Sequence, residues 1–486
     1  MTRGRRWLVR ALWAAVLVTL PITSFRYYPA VLGASTSKPL AFLPAAGLVL
    51  LVLSAERRRA WARVRHGLPA GLLVWLLAAA LSTAWALRRP PPPLSGYSLA
   101  ARALRAWFSW AVGLVFLLAA VLAHDEEDDL DFTLRALFAG FGLTALWATL
   151  QLTALTVGFP SREALARAQA VFSLRPWAQA RVQGLAYEPS WFADQLVVLY
   201  GAWLAAALFT GYARPWKHRA VVWMLSLWAL GLLVWTYSRS GVLVAAVAAG
   251  VVGLRFGLRL GRGSWRRWAL AAGLAGVLAG LFAAAAQRSD YFRVLFDLKP
   301  GQTWVDYVVQ ARAGARLAYA GAAWQVFEEH PWLGVGLGGS GLYLYEHLPE
   351  WSRTELRDVA YALSPEHRPV LNPKSMYARL LAETGIVGMA AFAVFVLGVL
   401  ARAEALARAP GPRARFAGLA GWWLVVAMAM RWFTQDALSL PTFWVVAGVV
   451  LAFEAASRAP AEPVPPHATD SGPDTAAHTG HRRNWG

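Results

Sequence analysis

Apolar residues along this chain gather into long blocks separated by short, mostly basic connections. A helix needs about 20 largely apolar residues to cross a hydrocarbon core of ~30 Å. The blocks at 7–24, 39–55, 68–87, 106–123, 132–157, 194–211, 220–237, 241–257, 268–286, 380–401, 416–433 and 441–457 approach that length. Backbone groups facing lipid must be satisfied inside their own segment, so the pattern predicts helices. The fold class expected is an all-α integral membrane protein of about 12 transmembrane helices. The first block follows Met1-Thr-Arg-Gly-Arg-Arg and reads as an uncleaved span, because a second block follows closely and no small-residue cleavage site is evident. Nine spans fall in 1–286, with an outer connection near 158–193. A long connection follows at 287–374, then three spans in 375–458. The tail at 459–486 is rich in Pro, Ala, Thr, His and Gly, cannot bury a core, and is expected to be disordered. Arg88-Arg-Pro-Pro-Pro-Pro reads as a stiff extended connector.

Composition agrees with this pattern. Of the 486 residues, 58% are apolar or aromatic and 15% charged, against ~45–50% and ~25% in an ordinary soluble domain. The formal net charge of +20 would suggest nucleic acid in a soluble protein. Here the basic residues lie between apolar blocks, so they report topology and no nucleic-acid partner is expected. An even number of spans puts both termini on one side. Twenty Lys and Arg fall in the 61 residues of the connections on that side, and twenty in the 166 residues of the other set. The denser side is assigned to the cytoplasm, with both termini there. His124-Asp-Glu-Glu-Asp-Asp is the one acidic connection on that side, and acidic residues count little in the rule. With no cysteine, disulfides and thiolate metal sites are excluded. The 26 Trp suit two membrane–water interfaces.

The two long outer connections carry the candidate chemistry. In the second, Val308–Glu329 reads as one helix, placing Arg312 and Arg316 four apart on one face. Such a pair can grip phosphate oxygens, or be a solvated face whose Arg side chains reach lipid headgroups. Gly334, Gly336 and Gly339 spell G-x-G-x-x-G, but no strand precedes them and no βαβ unit follows, so a Gly-rich turn closing the helix is the reading. Lys374, Tyr377 and Glu383 enter the next apolar block from the outer face. Glu383 lies in apolar surroundings, where an ionisable group is functional by default or pairs locally. In the first long connection, Arg181 and Glu188 supply a cation and a candidate base, or an ion pair. Arg239 lies in the short turn between the seventh and eighth blocks, and so at the outer boundary. Arg431 and Asp436 flank the last outer turn. No spacing of the nine His suggests a metal site, and no cofactor motif appears.

Three segments together resemble the O-antigen ligase and polymerase superfamily of bacterial envelope glycosyltransferases. They are Tyr237-Ser-Arg-Ser-Gly, then Arg316 followed by Trp324-Gln-Val-Phe-Glu-Glu-His-Pro-Trp-Leu-Gly-Val-Gly, then Tyr377-Ala-Arg-Leu-Leu-Ala-Glu-Thr-Gly-Ile-Val-Gly. Arg181-Val-Gln-Gly with Glu188-Pro is similar to a fourth segment. The resemblance implies a polytopic, GT-C-type glycosyltransferase in the bacterial inner membrane, metal-independent, inverting, and without a cofactor. It implies a glycan donor on undecaprenyl diphosphate, used on the periplasmic face, and an acceptor hydroxyl on lipid A core or on another glycan. A chain-length regulator is a further implied partner, beside membrane lipids. The family's functional arginines map onto Arg181, Arg239 and Arg316. Many ligases carry a His-Asn pair just before the tyrosine, where this chain has Lys374-Ser375. That departure leans toward a polymerase or a related transferase with another acceptor. His367 stands seven residues upstream as a substitute base beside Glu188 and Glu383, and Lys374 as a phosphate contact. The alternative is a transporter or flippase for a lipid-linked or anionic substrate.

Overall fold

A computed structural model describes residues 3–28, 37–126, 128–177, 180–212, 218–257, 290–364, 369–437 and 439–458, with single positions 273, 276, 280, 283 and 287. Among the described residues the chain is helical, with isolated β-bridges such as Phe25 to Ser173 and no strand. In order run α1 (Arg3–Thr19), α2 (Phe42–Ala55), α3 (Arg57–Gly67), α4 (Ala70–Ala86), α5 (Leu99–Ala123), α6 (Asp129–Thr156) and α7 (Arg162–Phe172). Next comes α8 (Pro189–Thr210), whose middle turns, Gln195–Tyr200, are π-helical. It is followed by α9 (Arg219–Trp235) and α10 (Arg239–Gly257). The long connection holds α11 (Asp290–Arg293), α12 (Trp304–Gln310), α13 (Gly314–Glu329), α14 (Glu350–Glu355) and α15 (Arg357–Leu363). The chain returns through α16 (Met376–Arg408), α17 (Pro412–Arg431) and α18 (Pro441–Arg458).

Among the described residues five helices are long and apolar enough to cross a membrane: α5, α6, α8, α10 and α16. A sixth counts if α3 and α4, bent by 89°, form one broken span. The expected twelve exceeds this. The block at 39–55, for example, yields a helix of 14 residues, about 21 Å long at 1.5 Å per residue. The block at 268–286, apart from the single positions 273, 276, 280 and 283, and the tail lie outside the described residues.

Local signals set several helix ends. Ser98, Ser161 and Ser375 cap α5, α7 and α16 by accepting from the backbone amide three residues on. Gly211, at φ +71, closes α8 in the left-handed conformation that glycine adopts without strain. The bundle then packs through small residues and large rings. A Cβ on Gly113 would lie 2.3 Å from the Trp444 indole nitrogen, so α5 and α18 meet only because that position is bare. Gly418 and Gly421 admit α17 against Ala403 and Ala407 of α16 in the same way. Trp75 and Trp110 stack at 3.6 Å between centroids, with Phe392, Phe395 and Trp444 around them.

One end of the bundle is tied by ion pairs. The acidic connection at 124–131 supplies the partners of nearby arginines: Arg6 to Glu126, Arg10 to Asp129 at 2.7 Å, Arg63 to Asp125 at 3.3 Å, and Arg413 to Asp128 at 2.7 Å. Arg402 to Glu454 at 2.6 Å and Arg255 to Glu404 belong to the same end. The acidic run is therefore the counter-charge of the basic connections around it.

At the other end the long connection builds a helical lobe with its own core, including Ala318, Ala322, Val326, Leu344, Leu348 and Val359. Its tail, Pro331 to Ser340, inserts between α4, α5 and α16. α16 breaks at Gly385, whose φ of 62° and ψ of −168° are non-helical. The break frees the amides of Ile386 and Val387, which bond the carbonyls of Pro331 and Trp332 at 2.8 and 3.3 Å. Val335 N donates to Ala382 O at 2.9 Å, and the Ser82 hydroxyl bonds the Leu333 and Glu383 carbonyls. A Cβ at Gly334 would lie 2.5 Å from Ala382 O, and one at Gly338 would lie 2.6 Å from Arg102 O. The Gly-rich run serves backbone-to-backbone approach.

Candidate functional site

The turn between α9 and α10 is built from Thr236, Tyr237 and Ser238. Tyr237 has φ +47, and the Ser238 hydroxyl accepts from Gly241 N at 3.2 Å, opening α10 at Arg239. This turn leaves two carbonyls facing outward. Arg181 uses both: its Nε donates to Thr236 O at 2.8 Å and one terminal nitrogen to Tyr237 O at 3.2 Å. Val182 N bonds Trp235 O at 3.0 Å, so the first long connection is pinned to the same turn. Arg239 donates to Ala311 O at 2.6 Å and thereby holds the lobe against α10. Its Nε is buried and has no hydrogen-bond partner among the described residues.

A tyrosine that sequence reasoning passed over centres the group. The Arg239 guanidinium lies 3.7 Å from the centroid of the Tyr291 ring, Arg181 5.7 Å and Arg312 6.0 Å. Arg316 is near enough to act electrostatically on Arg181. Burial holds Arg181 below the usual guanidinium range, Tyr291 and Glu188 oppose that, and Arg239 and Arg316 reinforce it. Four arginines from three separate segments are thus gathered at one end of the bundle. The single helix expected over Val308–Glu329 is corrected. α12 ends at Gln310 and α13 starts at Gly314, with Arg312 between them at φ +55. Ala313 N returns to Val308 O at 2.9 Å, closing the turn. Arg312 and Arg316 are therefore not neighbours on one helical face. The break points Arg312 at Tyr291. Neither guanidinium makes a hydrogen bond or ion pair among the described residues.

Two carboxylates border the arginines. Glu188, about one-third exposed, accepts from the Ser190 hydroxyl and lies 3.9 Å from Arg175. Asp194 is buried in α8 and paired with Arg431, which also reaches Thr434 at 2.6 Å and Ser240 at 3.4 Å. Asp194 is a second residue sequence reasoning missed. It is the lone charged group in α8, and that was the available signal. The remaining candidates lie on the α16 side. Lys374 is exposed at φ +60, its amide bonded to Asp436 at 3.1 Å. Tyr377 donates to Ala429 O at 2.7 Å and packs on Phe433. Glu383 is fully buried, ion-paired to Arg379 at 3.1 Å, and accepts from Ser340 at 2.8 Å. It locks the lobe's tail and has no free oxygen turned toward the arginines. His367 lies outside the described residues. Among the described residues no group of His, Asp and Glu could hold a metal ion.

Below the arginines an apolar cleft runs between α8, α9 and α10, lined by Leu196, Gly201, Leu204, Leu233, Ala245 and Trp423. A cluster of cations over an apolar cleft suits an amphiphile with an anionic head. Residues 224–393 match the family model described as O-antigen ligase. That stretch includes Arg239, Arg312, Arg316, Lys374, Tyr377 and Glu383, and leaves out Arg181 and Glu188. No curated protein matches the chain.

Proposed function

From a chain that carries an O-antigen ligase domain, the mark of the O-antigen ligase and polymerase superfamily, we propose a glycan transfer from undecaprenyl diphosphate to a sugar hydroxyl at the outer face of the inner membrane. The observation that carries this reading is the convergence of Arg181, Arg239 and Arg312 on Tyr291, with Arg316 beside them. In the reaction the acceptor oxygen attacks the anomeric carbon as the bond from that carbon to the diphosphate oxygen breaks. The electron pair leaves on undecaprenyl diphosphate, so negative charge grows on the phosphate oxygens. Fixed guanidinium groups aimed at that charge lower the barrier, and one such donor is typically worth about 10²–10³ in rate. The amino-terminal end of α10, where Arg239 sits, adds a partial positive charge of the same sense.

Glu188 is the base of this reading. It takes the acceptor proton, stands beside the cations without a close ion pair, and is held by Ser190. A single displacement inverts the anomeric carbon. The cleft between α8, α9 and α10 receives the prenyl chain. The lobe of the long connection, seated on α10 through Ala311, is the side from which the acceptor approaches.

The test is incubation of the purified protein with a defined undecaprenyl-diphosphate oligosaccharide. Arg239→Ala and Arg316→Ala should each lose transfer by at least about 10²-fold while remaining folded. Wild-type rates in both variants at matched expression overturn the reading. A product ladder assigns a polymerase, and transfer confined to lipid A core assigns a ligase. Vectorial movement of the donor without covalent change assigns a flippase instead.

A further inference from the structure

Helix α3 reads Arg-Arg-Arg-Ala-Trp-Ala-Arg-Val-Arg-His-Gly over residues 57–67. It lies at the end of the bundle opposite the arginine cluster and meets α4 at 89°. Its inward side is fully engaged. Ala60 and Gly67 are buried, and Gly67 faces Val121 so closely that a Cβ would lie 2.8 Å from it. Arg63 is paired with Asp125 at 3.3 Å and donates to Leu122 O at 3.0 Å. Arg402 donates to His66 O at 3.0 Å.

The outward side is the reverse. Arg57, Arg58, Arg59 and Arg65 are exposed, and Trp61 between them is 57% exposed. None of these four arginines has an ion pair or side-chain hydrogen bond among the described residues. The described acids nearby are already committed, since Glu56 and Asp125 serve Arg63, and Glu126, Asp128 and Asp129 serve Arg6, Arg413 and Arg10. α4 packs along α16, a candidate span, with Gly71 against the Phe395 backbone, and a helix perpendicular to that direction lies in the plane of the bilayer surface. At that depth an exposed indole is half wet and half dry, as tryptophan prefers. The guanidinium groups around it are then level with lipid phosphates, which their planar donor forks fit.

We propose that α3 is an interfacial helix that binds anionic phospholipid headgroups, with Arg57, Arg58, Arg59 and Arg65 holding the phosphates and Trp61 seated among them. The occupant follows from charge and geometry: four cations with no partner among the described residues and one exposed indole on a helix that its neighbour turns parallel to the membrane. This site is independent of the glycan-transfer reading, because α3 is at the far end of the bundle.

Native mass spectrometry of the purified full chain, titrated with phosphatidylglycerol or with phosphatidylcholine of the same acyl chains, tests it. Each basic side chain near an anionic surface is worth about fivefold in affinity, so changing all four arginines to Gln should weaken phosphatidylglycerol binding by at least about tenfold. Phosphatidylcholine binding should not change. The same four positions as Lys should retain most of the preference. If the four-Gln variant does not fold, Arg57→Gln with Arg58→Gln is read instead. Equal occupancy by the two lipids in the wild type overturns the proposal, as does an unchanged preference in the Gln variants. Displacement of the lipid by inorganic phosphate shows a site for the free ion. Displacement by polyglutamate shows a surface for an acidic protein. Either of those outcomes also overturns it.

Discussion

Tyr291 offers the sharpest handle on the arginine cluster, because no nearby sequence pattern marks it and three cations depend on it. Replacing it with Leu keeps apolar bulk and removes the ring quadrupole. A guanidinium over an aromatic face gains about 0.5–1 kcal/mol when exposed and about 2 when desolvated. Arg239, at 3.7 Å and with a buried Nε, belongs near the upper figure. Arg181 and Arg312, at 5.7 and 6.0 Å, lie at the limit of the interaction and add little individually. A total of about 2 kcal/mol converts to roughly 30-fold, and it should appear mainly as a higher KM for the lipid-linked donor, since the ring arranges the groups that meet the diphosphate. Tyr291→Phe keeps the quadrupole and should stay within about threefold of wild type. The assay is initial-rate transfer with a defined donor, with thermal melts confirming that each variant is folded. Progressively fluorinated phenylalanines at position 291 keep shape and drain the quadrupole, so the donor KM should rise with each fluorine. A flat series, with Arg239→Ala still inactive, refutes the role given to the ring and leaves the catalytic reading standing. A flat series with an active Arg239→Ala refutes both.

Further outcomes follow from the lobe and its seat. Gly385→Ala places a Cβ 2.2 Å from Trp332 O at a backbone conformation that essentially only glycine adopts, so it should cost at least about 2 kcal/mol, seen as a lower melting temperature and faster proteolysis of the lobe. Glu383→Gln leaves Arg379 buried without its charge partner and should destabilise by roughly 3 kcal/mol, seen as a lower melting temperature. For His347, burial opposes the charged ring, but the Tyr343 carbonyl and Glu329 at 2.9 Å outweigh it and raise the group above its ordinary 6.5. Its contribution to the lobe is complete below about pH 6.5 and is lost as pH rises through the raised value. Glu329 is largely exposed, so the effect should stay below about 1 kcal/mol. Hydrogen exchange at the end of α13, compared at acid and alkaline pH in wild type and His347→Gln, measures it, and an equal pH response in both sinks the assignment.

Arg239 was legible from sequence because its turn is pressed between two apolar blocks, which leaves it nowhere to go but the boundary. Arg181 and Arg316 were legible as cations in long outer connections, and their meeting was expected only through the family resemblance, since Thr236, Tyr237 and Ala311 hold Arg181 and Arg239 through backbone carbonyls that carry no sequence signal. The helical pattern ran through Arg312 without a break. The turn there answers to the Val308 and Ala311 carbonyls, and only Gly314 two residues on hints at it. The Gly-rich run was visible as unusual backbone, but its partners, Ala382 and Arg102, lie far away in the chain. Block lengths gave helices readily. They did not fix how many cross, because a short block such as 39–55 folds into a helix shorter than the hydrocarbon core.

The distribution of neutralised charge ties these observations together. At the ion-paired end, Arg6, Arg10, Arg63, Arg402 and Arg413 each meet a carboxylate. At the other end, Arg181 and Arg239 meet carbonyls, these two and Arg312 face the Tyr291 ring, Arg316 lies beside them, and the buried acid Asp194 is already taken by Arg431. Like charges held together without counter-charge cost free energy, and their assembly persists only because surrounding structure fixes it. Here the fixing groups are the α9–α10 turn, the lobe through Ala311, and Tyr291. In the proposed reaction an arriving diphosphate would supply that counter-charge at donors that need not reorganise, which is how a preorganised site stabilises charge that develops during reaction. The lobe is therefore part of the site's electrostatics. Loosening its seat at Gly385 should raise the donor KM even though that residue never nears the substrate.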